Sequence, residues 1–401
     1  MPSSSAPPAE PAAAADASPR PRARAAIEGL HAYVPGEQPT WADTARPLRP
    51  VVKLNTNENP YPPSPRALEA VAALPAEALR LYPPPASDRL RAAAAAALNH
   101  PAGRGFTAKS VIGTNGGDEL LRLLITAFCE PAPMAAGSGP GTGGIGLTTP
   151  SYSLYGVLAG IHGATATEVP RDPDTLAPPE PETIAAAWNA TGSRLGFVVN
   201  PHAPSGRREE AAWLVRLADA FEGLLVVDEA YADFADADAA GLVAPAGDAR
   251  TDVLLLRSLS KGYALAGLRV GFGVGHPSLI ALLDKARDSY NLDAYAQAAA
   301  AAALADRTHA EASWAAVRGE RTRLTAALRE RGFGVLDSQS NFVLARVAGG
   351  PGEARRLYLG LKSNDVLIRH FDTPALADRL RITVGTPEQV DLLLEVLDGL
   401  R

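Results

Sequence analysis

Through the middle of the chain, short runs that are apolar at every position alternate with stretches whose apolar residues recur every three or four positions. LGFVVN closes its apolar run at Asn200, GLLVVDEAY at Asp228, and DVLLLRSLSK near Ser258. Runs of this length, apolar throughout, predict strands buried on both faces. Between the first two, RREEAAWLVRLADAF places Trp213, Leu214, Leu217 and Phe221 at helical spacing. Strands and helices in alternation predict right-handed crossovers and a mostly parallel sheet sandwiched by helices, so the expected fold class is α/β.

Upstream, VVKLNTNENPYPPSP reads as a short strand running into a proline-rich loop. RALEAVAAL and RLRAAAAAAL have helical spacing, with Ser87 or Asp88 as cap of the second. SVIGTNGGDELLRLLITAF is a strand, a tight turn and a helix. The run GSGPGTGGIG, Gly137 to Gly146, holds a formal G-x-G-x-x-G at Gly139, Gly141 and Gly144. No apolar strand precedes it and no helix follows, so it reads as a surface loop and not as a dinucleotide site. From about Tyr290 the chain turns alanine-rich and helical to Arg331. SNFVLARV, VLIRHF and LRITVG then mark the strands of a smaller α/β unit. The expected organisation is a disordered Pro/Ala-rich tail over 1–26, an N-terminal arm over 27–60, a large domain over 61–292 and a small one over 293–401.

Composition narrows the choice of function. A net charge of −6 over 401 residues argues against a nucleic-acid surface, which needs clustered basic groups. No run reaches the ~18 apolar residues of a membrane span. The single cysteine, Cys129, cannot form an internal disulfide, and the histidines show no metal-ligand spacing. The expectation is a cytoplasmic protein with no metal, membrane or nucleic-acid partner.

Ligands of open α/β sheets sit beyond the carboxyl ends of the strands. Three such ends carry Asn200, then Asp228 with Tyr231, then Ser258, Ser260 and Lys261. Lysine is scarce here, with five in the chain, and Lys261 follows a buried strand directly. An amine, a buried carboxylate, an amide and a phenol together suit pyridoxal phosphate. Lysine forms a Schiff base with its aldehyde, and a carboxylate keeps its ring nitrogen protonated. Asn200 and Tyr231 suit the ring oxygen, while Ser258, Ser260 and Arg269 suit a phosphate. The turn opening the helix after NGGDE offers backbone amides to the same anion. Read without that pattern, Tyr152 and Tyr231 are equally well core aromatics.

At these residues the chain resembles the fold-type-I pyridoxal-phosphate aminotransferases, and within them the histidinol-phosphate aminotransferase family. AYVPG, KLNTNENPYPPSP, LYPPPASDRL, NGGDELL, PSYSLY, VVNPHAPSG, VVDEAYADF, SLSKGYALAGLRVG and RLRITVGT carry the likeness. The resemblance implies a large domain with a mostly parallel central sheet and a smaller C-terminal α/β domain. It implies Lys261 as the cofactor-bearing lysine and proton carrier, and Asp228 as partner of the pyridine nitrogen. Tyr231 and Asn200 would hold the ring hydroxyl, and Tyr152 would stack on the ring. Gly117, Asp118, Ser258, Ser260 and Arg269 would form the phosphate cup, with Tyr82 reaching in from the neighbouring subunit of a homodimer that shares its sites. Tyr33, Asn57, Arg369 and Arg381 would line the substrate pocket, Arg381 gripping a carboxylate. The partners implied are a small-molecule amino donor and a 2-oxo acid.

The same scaffold also fits an aromatic amino-acid aminotransferase, a threonine-phosphate decarboxylase or a ligand sensor. One departure from the family stands out. The Asn-rich loop ending in Thr-Gly reads NPHAPSG here, with His202 and Ser205, and His202 is expected to be a harmless loop substitution.

Overall fold

The computed structural model describes residues 24, 27, 29–33, 35–38, 51–100, 103–131, 143–245 and 249–401. The expected tail lies outside these residues apart from Arg24, as does the glycine-rich run up to position 142.

Numbered in chain order, a seven-stranded sheet runs β2 (Val111–Thr114), β8 (Gly271–Gly275), β7 (Val253–Ser258), β6 (Leu224–Asp228), β5 (Leu195–Val199), β3 (Ile145–Thr149), β4 (Ala166–Pro170). β8 is antiparallel to both neighbours, and every other pairing in this sheet is parallel. The unbroken apolar runs are explained by side-chain alternation. Leu225, Val227, Val253 and Leu255 enter one core, with the helices Asp88–Leu98, Pro181–Ala190, Ala211–Ala220 and Ala294–Ala305. Leu224, Val226, Leu254 and Leu256 enter a second core on the opposite face, with the helices Gly116–Phe128, Leu154–His162 and Pro277–Ala286. By the same parity Asp228 and Ser258 belong to the second face, whereas Arg257 belongs to the first.

A four-stranded antiparallel sheet, β12 (Arg369–His370), β13 (Arg379–Thr383), β10 (Phe342–Arg346), β9 (Gly334–Val335), organises a third core. The helices Arg307–Glu330, Gly350–Ser363 and Pro387–Leu400 cover it. Thr386 and Gln389 close a reciprocal capping box at the start of the last of these. Val52 and Leu54 join this core, where β1 (Val52–Lys53) pairs in parallel with β11 (Val366–Leu367).

Three expectations need correction. The helix Ala294–Ala305 packs on Asp88–Leu98 and Pro65–Ala72 in the large-sheet core, so the core change falls after it and not at 292/293. Its alanines conceal this, because they bring no amphipathic contrast to read. Ser87 stands before the helix Asp88–Leu98 in the left-handed region, φ 52°, and makes no side-chain cap. The glycine-rich run is not loop to its end, since Ile145 and Gly146 lie buried in β3. Gly146 interrupts the apolar pattern for a packing reason. A Cβ there would stand 2.3 Å from the indole of Trp188, and one at Gly196 would stand 2.4 Å from the same ring. Trp188 is fully buried and meets Phe221 edge-on at 5.3 Å. Among the described residues no helix is long and apolar enough to cross a membrane, and no cluster of potential metal ligands occurs.

Overpacking against the indole gives a direct test. Gly196→Ala is expected to cost about 1–3 kcal/mol and to lower the thermal unfolding midpoint. Gly241→Ala meets open space and is expected to leave the midpoint unchanged, so equal midpoints for the two variants would contradict the packing described.

Candidate active site

The carboxyl ends of β5, β6 and β7 deliver the predicted residues to one edge. Asp228 ends β6 almost fully buried. Its Oδ2 accepts a 2.7 Å hydrogen bond from the Tyr155 hydroxyl, and its Oδ1 accepts from the Ala230 amide at 3.0 Å. Burial outweighs both bonds and pushes its pKa up to about 6. Tyr155 stacks on Phe197 at 4.9 Å, so a packed aromatic aims the phenol. Asn200 accepts from the Glu209 amide at 2.7 Å and donates to the Glu209 carbonyl at 3.2 Å, which holds the loop after β5.

Lys261 lies three residues past β7. Its Nζ donates to the Thr56 carbonyl at 2.8 Å, and burial lowers its pKa to about 8 despite the opposing charge of Glu58. Glu58 is itself paired with Lys53 and accepts from Thr56 Oγ1. An amine in this state is neutral for part of its time near pH 8, as a nucleophile and base must be.

Beside it a cup of donors opens at the N-terminus of the helix Gly116–Phe128. Arg269 sits there with φ 54°, its guanidinium 3.3 Å from Ser260 Oγ and 3.4 Å from Asp118. Gly116, φ 71°, leaves room for that guanidinium, since a Cβ would stand 2.8 Å from Nη2. Gly117 presents its backbone at the same turn, and Ser258 Oγ accepts from the Ser260 amide at 3.2 Å. Helix-terminal amides, hydroxyls and a half-exposed guanidinium form a site for a phosphate-like anion.

The substrate-side residues converge as well. Tyr231 is half-buried, and its hydroxyl accepts from Asn57 Nδ2 at 3.1 Å. Asn57, φ 59°, also bonds Thr383 through its amide at 3.0 Å and its Oδ1 at 3.1 Å, and takes the Asn341 side chain on its carbonyl. Arg369 and Arg381 stand opposite each other on β12 and β13, both 5.6 Å from the Phe371 ring. Arg381 donates to the Asn55 carbonyl at 2.9 Å, while its buried Nε has no partner among the described residues. Burial and the nearby Arg369 charge pull its pKa down. Tyr152 meets Tyr33 edge-on at 5.8 Å and reaches Asp118 at 3.5 Å. Tyr82 stands apart from this group, 79 % exposed and stacked on Tyr290 at 4.4 Å.

His202 lies in the loop after β5, as expected, and is fully buried, with Nδ1 2.7 Å from Ser205 Oγ and Nε2 2.9 Å from the Pro150 carbonyl. The residue is thus a buried tie between two loops. Tyr155, Thr383, Asn341 and Glu58 join the site without having been singled out by sequence reasoning. Tyr155 lies within the motif PSYSLY, but its bond to a residue 73 positions away leaves no local signal.

Residues 49–397 match the profile of the family described as aminotransferase class I and II. The chain is 42 % identical over 378 residues to histidinol-phosphate aminotransferase 1 of Nostoc sp., a match covering 94 % of this chain and 97 % of that one. It is 40 % identical over 371 residues to the histidinol-phosphate aminotransferase of Citrifermentans bemidjiense, covering 92 % and 96 %. A solved histidinol-phosphate aminotransferase from Sinorhizobium meliloti, in complex with pyridoxal-5'-phosphate, superposes with a TM-score of 0.80. That match has 26 % identity and covers 95 % of this chain and 98 % of that one.

Burial and the nearby Arg171 charge hold the His202 pKa well below its ordinary value, so the folded chain keeps this ring neutral. An unfolded histidine takes up a proton below about pH 6.5, so stability falls as pH drops through that value, by up to about 1.4 kcal/mol per unit. His202→Asn is expected to flatten the decline of the urea midpoint between pH 7 and 5. An unchanged slope would contradict the buried neutral ring.

Proposed function

Because the chain belongs to the aminotransferase class I and II family, and is a pyridoxal-phosphate-dependent aminotransferase, we propose that its amino donor is histidinol phosphate and its acceptor 2-oxoglutarate. One observation carries the choice: about 40 % identity, over nearly the whole chain, to enzymes named for that donor. The paired guanidiniums of Arg369 and Arg381 support it. Two cations on neighbouring strands suit a phosphate dianion, and they suit the carboxylates of glutamate and 2-oxoglutarate in the return half of the reaction.

The residues fit the cofactor in kind. A buried carboxylate with a raised pKa calls for a proton-bearing partner, a half-buried amine with a lowered pKa calls for a carbonyl, and the donor cup calls for an anion. When bound, pyridoxal phosphate supplies an electron sink conjugated to the substrate Cα and a carbon that carries the amino group between donor and acceptor.

In this reading Lys261 holds the cofactor covalently. Once released by the incoming amine, its ε-amino group would take the proton from the substrate Cα and deliver it to the cofactor carbon C4′ across the nitrogen. Asp228, ionised above about pH 6, holds the proton on the pyridine nitrogen. Asn200 and Tyr231 orient the ring hydroxyl, and Tyr152 covers a ring face. The backbone of Gly117 and Asp118, the hydroxyls of Ser258 and Ser260, and Arg269 hold the phosphate. Arg381 and Arg369 grip the substrate anion, while Tyr33 and Asn57 bound its side-chain pocket. Tyr82 is exposed, and its exposure, with Leu79 and Leu81 beside it, supports a homodimer in which it reaches the partner's phosphate. A large unit and a small one, meeting at Asn57, and a cytoplasmic setting complete the proposal.

Two measurements test it. Lys261→Ala is expected to abolish the visible absorbance of covalently held cofactor and to lower kcat/KM by about 10²–10⁴-fold or more. Persistence of that band would overturn the role of Lys261. Single-turnover amine transfer is expected to favour histidinol phosphate over phenylalanine and threonine phosphate, and a clear preference for phenylalanine would overturn the donor.

A further inference from the structure

On the face of the large sheet opposite Asp228 and Ser258 lies a cluster of charge, with Arg257 and Glu229 buried and Asp233, Asp238 and Arg104 half-buried. Arg257, one residue before Ser258, turns its guanidinium to three carboxylates. Nε is 3.0 Å from Glu229, Nη2 is 2.9 Å from Asp238, and Nη1 is 3.5 Å from Asp233. Arg104 takes Asp238 with both terminal nitrogens, at 3.1 and 2.9 Å. Glu229, which follows Asp228, accepts from the Ala239 amide at 2.6 Å. Burial pushes Glu229 up to about 7 and Asp233 up to about 6, whereas Arg257 and Arg104 hold Asp238 below the ordinary carboxylate range against its own burial. The reaction described above uses none of these groups.

Their connection to the site runs through Gly262, the residue after Lys261. Asp233 lies so close to Gly262 that an added Cβ would stand 2.0 Å from Oδ2 and 2.7 Å from the Asp233 Cβ. The side chain could not swing aside without leaving Arg257. On its other side Gly262 is fixed by its carbonyl, which accepts from Trp314 Nε1 at 2.7 Å and from Asn59 Nδ2 at 3.3 Å. Gly262 is thus clamped between a carboxylate paired with the sheet residue Arg257 and an indole on the long helix Arg307–Glu330. Lysine has four side-chain torsions, so its amine is only as well placed as its backbone.

We propose that Asp233, held by Arg257, is a positioning residue that sets the backbone of Lys261 through direct contact with Gly262. The inference rests on Lys261 as the cofactor lysine. It predicts that the contact is a matter of volume at positions 233 and 262 jointly, beyond any effect of charge.

The experiment mixes apo-protein with pyridoxal phosphate and fixes the attached cofactor with borohydride at timed intervals. Loading of the Lys261 peptide is read by mass spectrometry, and kcat and KM are measured on the same preparations. Gly262→Ala is expected to slow loading and to lower kcat by about 10- to 100-fold, as a displacement of about 1 Å in a reacting group would. KM for the donor, set by Arg369 and Arg381, is expected to stay within about threefold, the range of uniform binding left intact. Adding Asp233→Ala to Gly262→Ala is expected to recover about tenfold or more of the loading rate, the signature of two side chains coupled by contact.

A double variant no faster than Gly262→Ala alone, or a Gly262→Ala chain that loads at the wild-type rate, would overturn the proposal. Should Gly262→Ala fail to fold, Asp233→Asn decides. It keeps the volume and loses the ion pair with Arg257, and is expected to slow loading by about threefold or more through the loosened contact. An unchanged rate would overturn the anchoring by Arg257. If the wild-type chain loads no cofactor at Lys261, the assignment of that lysine falls first and this proposal with it.

Discussion

The site depends on placing ionisable groups at the ends of strands that are buried on both faces. A strand covered on both sides offers its last residue little water, so a carboxylate or amine there is costly in its charged form. Asp228 and Lys261 show the two opposite results, one pKa raised and the other lowered. They do not neutralise each other, because Asp228 is engaged by Tyr155 and Ala230 while Lys261 rests on the Thr56 carbonyl. Each therefore keeps an unmet demand for a partner of particular chemistry. The alternation of side chains divides the labour further. One sheet face carries Asp228 and Ser258, and the other carries the Arg257 cluster.

The second determinant is the junction between the large sheet and the smaller antiparallel one. Asn57 is one tie across it, bonding Tyr231 on one side and Thr383 with Asn341 on the other, alongside Arg321, which donates to the Phe234 and Ser340 carbonyls. The positive φ of Asn57 lets one residue present amide, carbonyl and side chain to partners in different directions. Arg381 sits two residues before Thr383 on β13, so its guanidinium and the junction share a strand.

Much of this is legible in the amino-acid sequence. Asn200, Asp228, Ser258 and Lys261 stand out because apolar runs end abruptly, and such an end is a local signal. Lys261 stands out further because the chain is poor in lysine. What stays hidden is non-local or compositional. Tyr155 bonds across 73 positions, and Thr383 is 326 positions from Asn57. Arg257 resembles the polar end of an apolar strand, because parity reveals its face only once both cores are known. The helix Ala294–Ala305 belongs to the large unit and not, as expected, to the small one, since a run of alanines marks no preferred face. The burial of His202, which ties two loops together, is also invisible in its loop sequence.

Trp188 illustrates a different kind of information. The space its indole fills is the space that Gly146 and Gly196, on separate strands, leave empty. The large side chain and the two missing ones are one volume divided among three positions. Surveyed one residue at a time, each of these positions would be scored as invariant. Varied together they form a single exchangeable unit, in which a smaller residue at 188 opens room for side chains on β3 and β5. Tolerance to change in this layer of the core is therefore a property of combinations, and a design library that samples the three sites independently would miss most of the sequences the fold can accept.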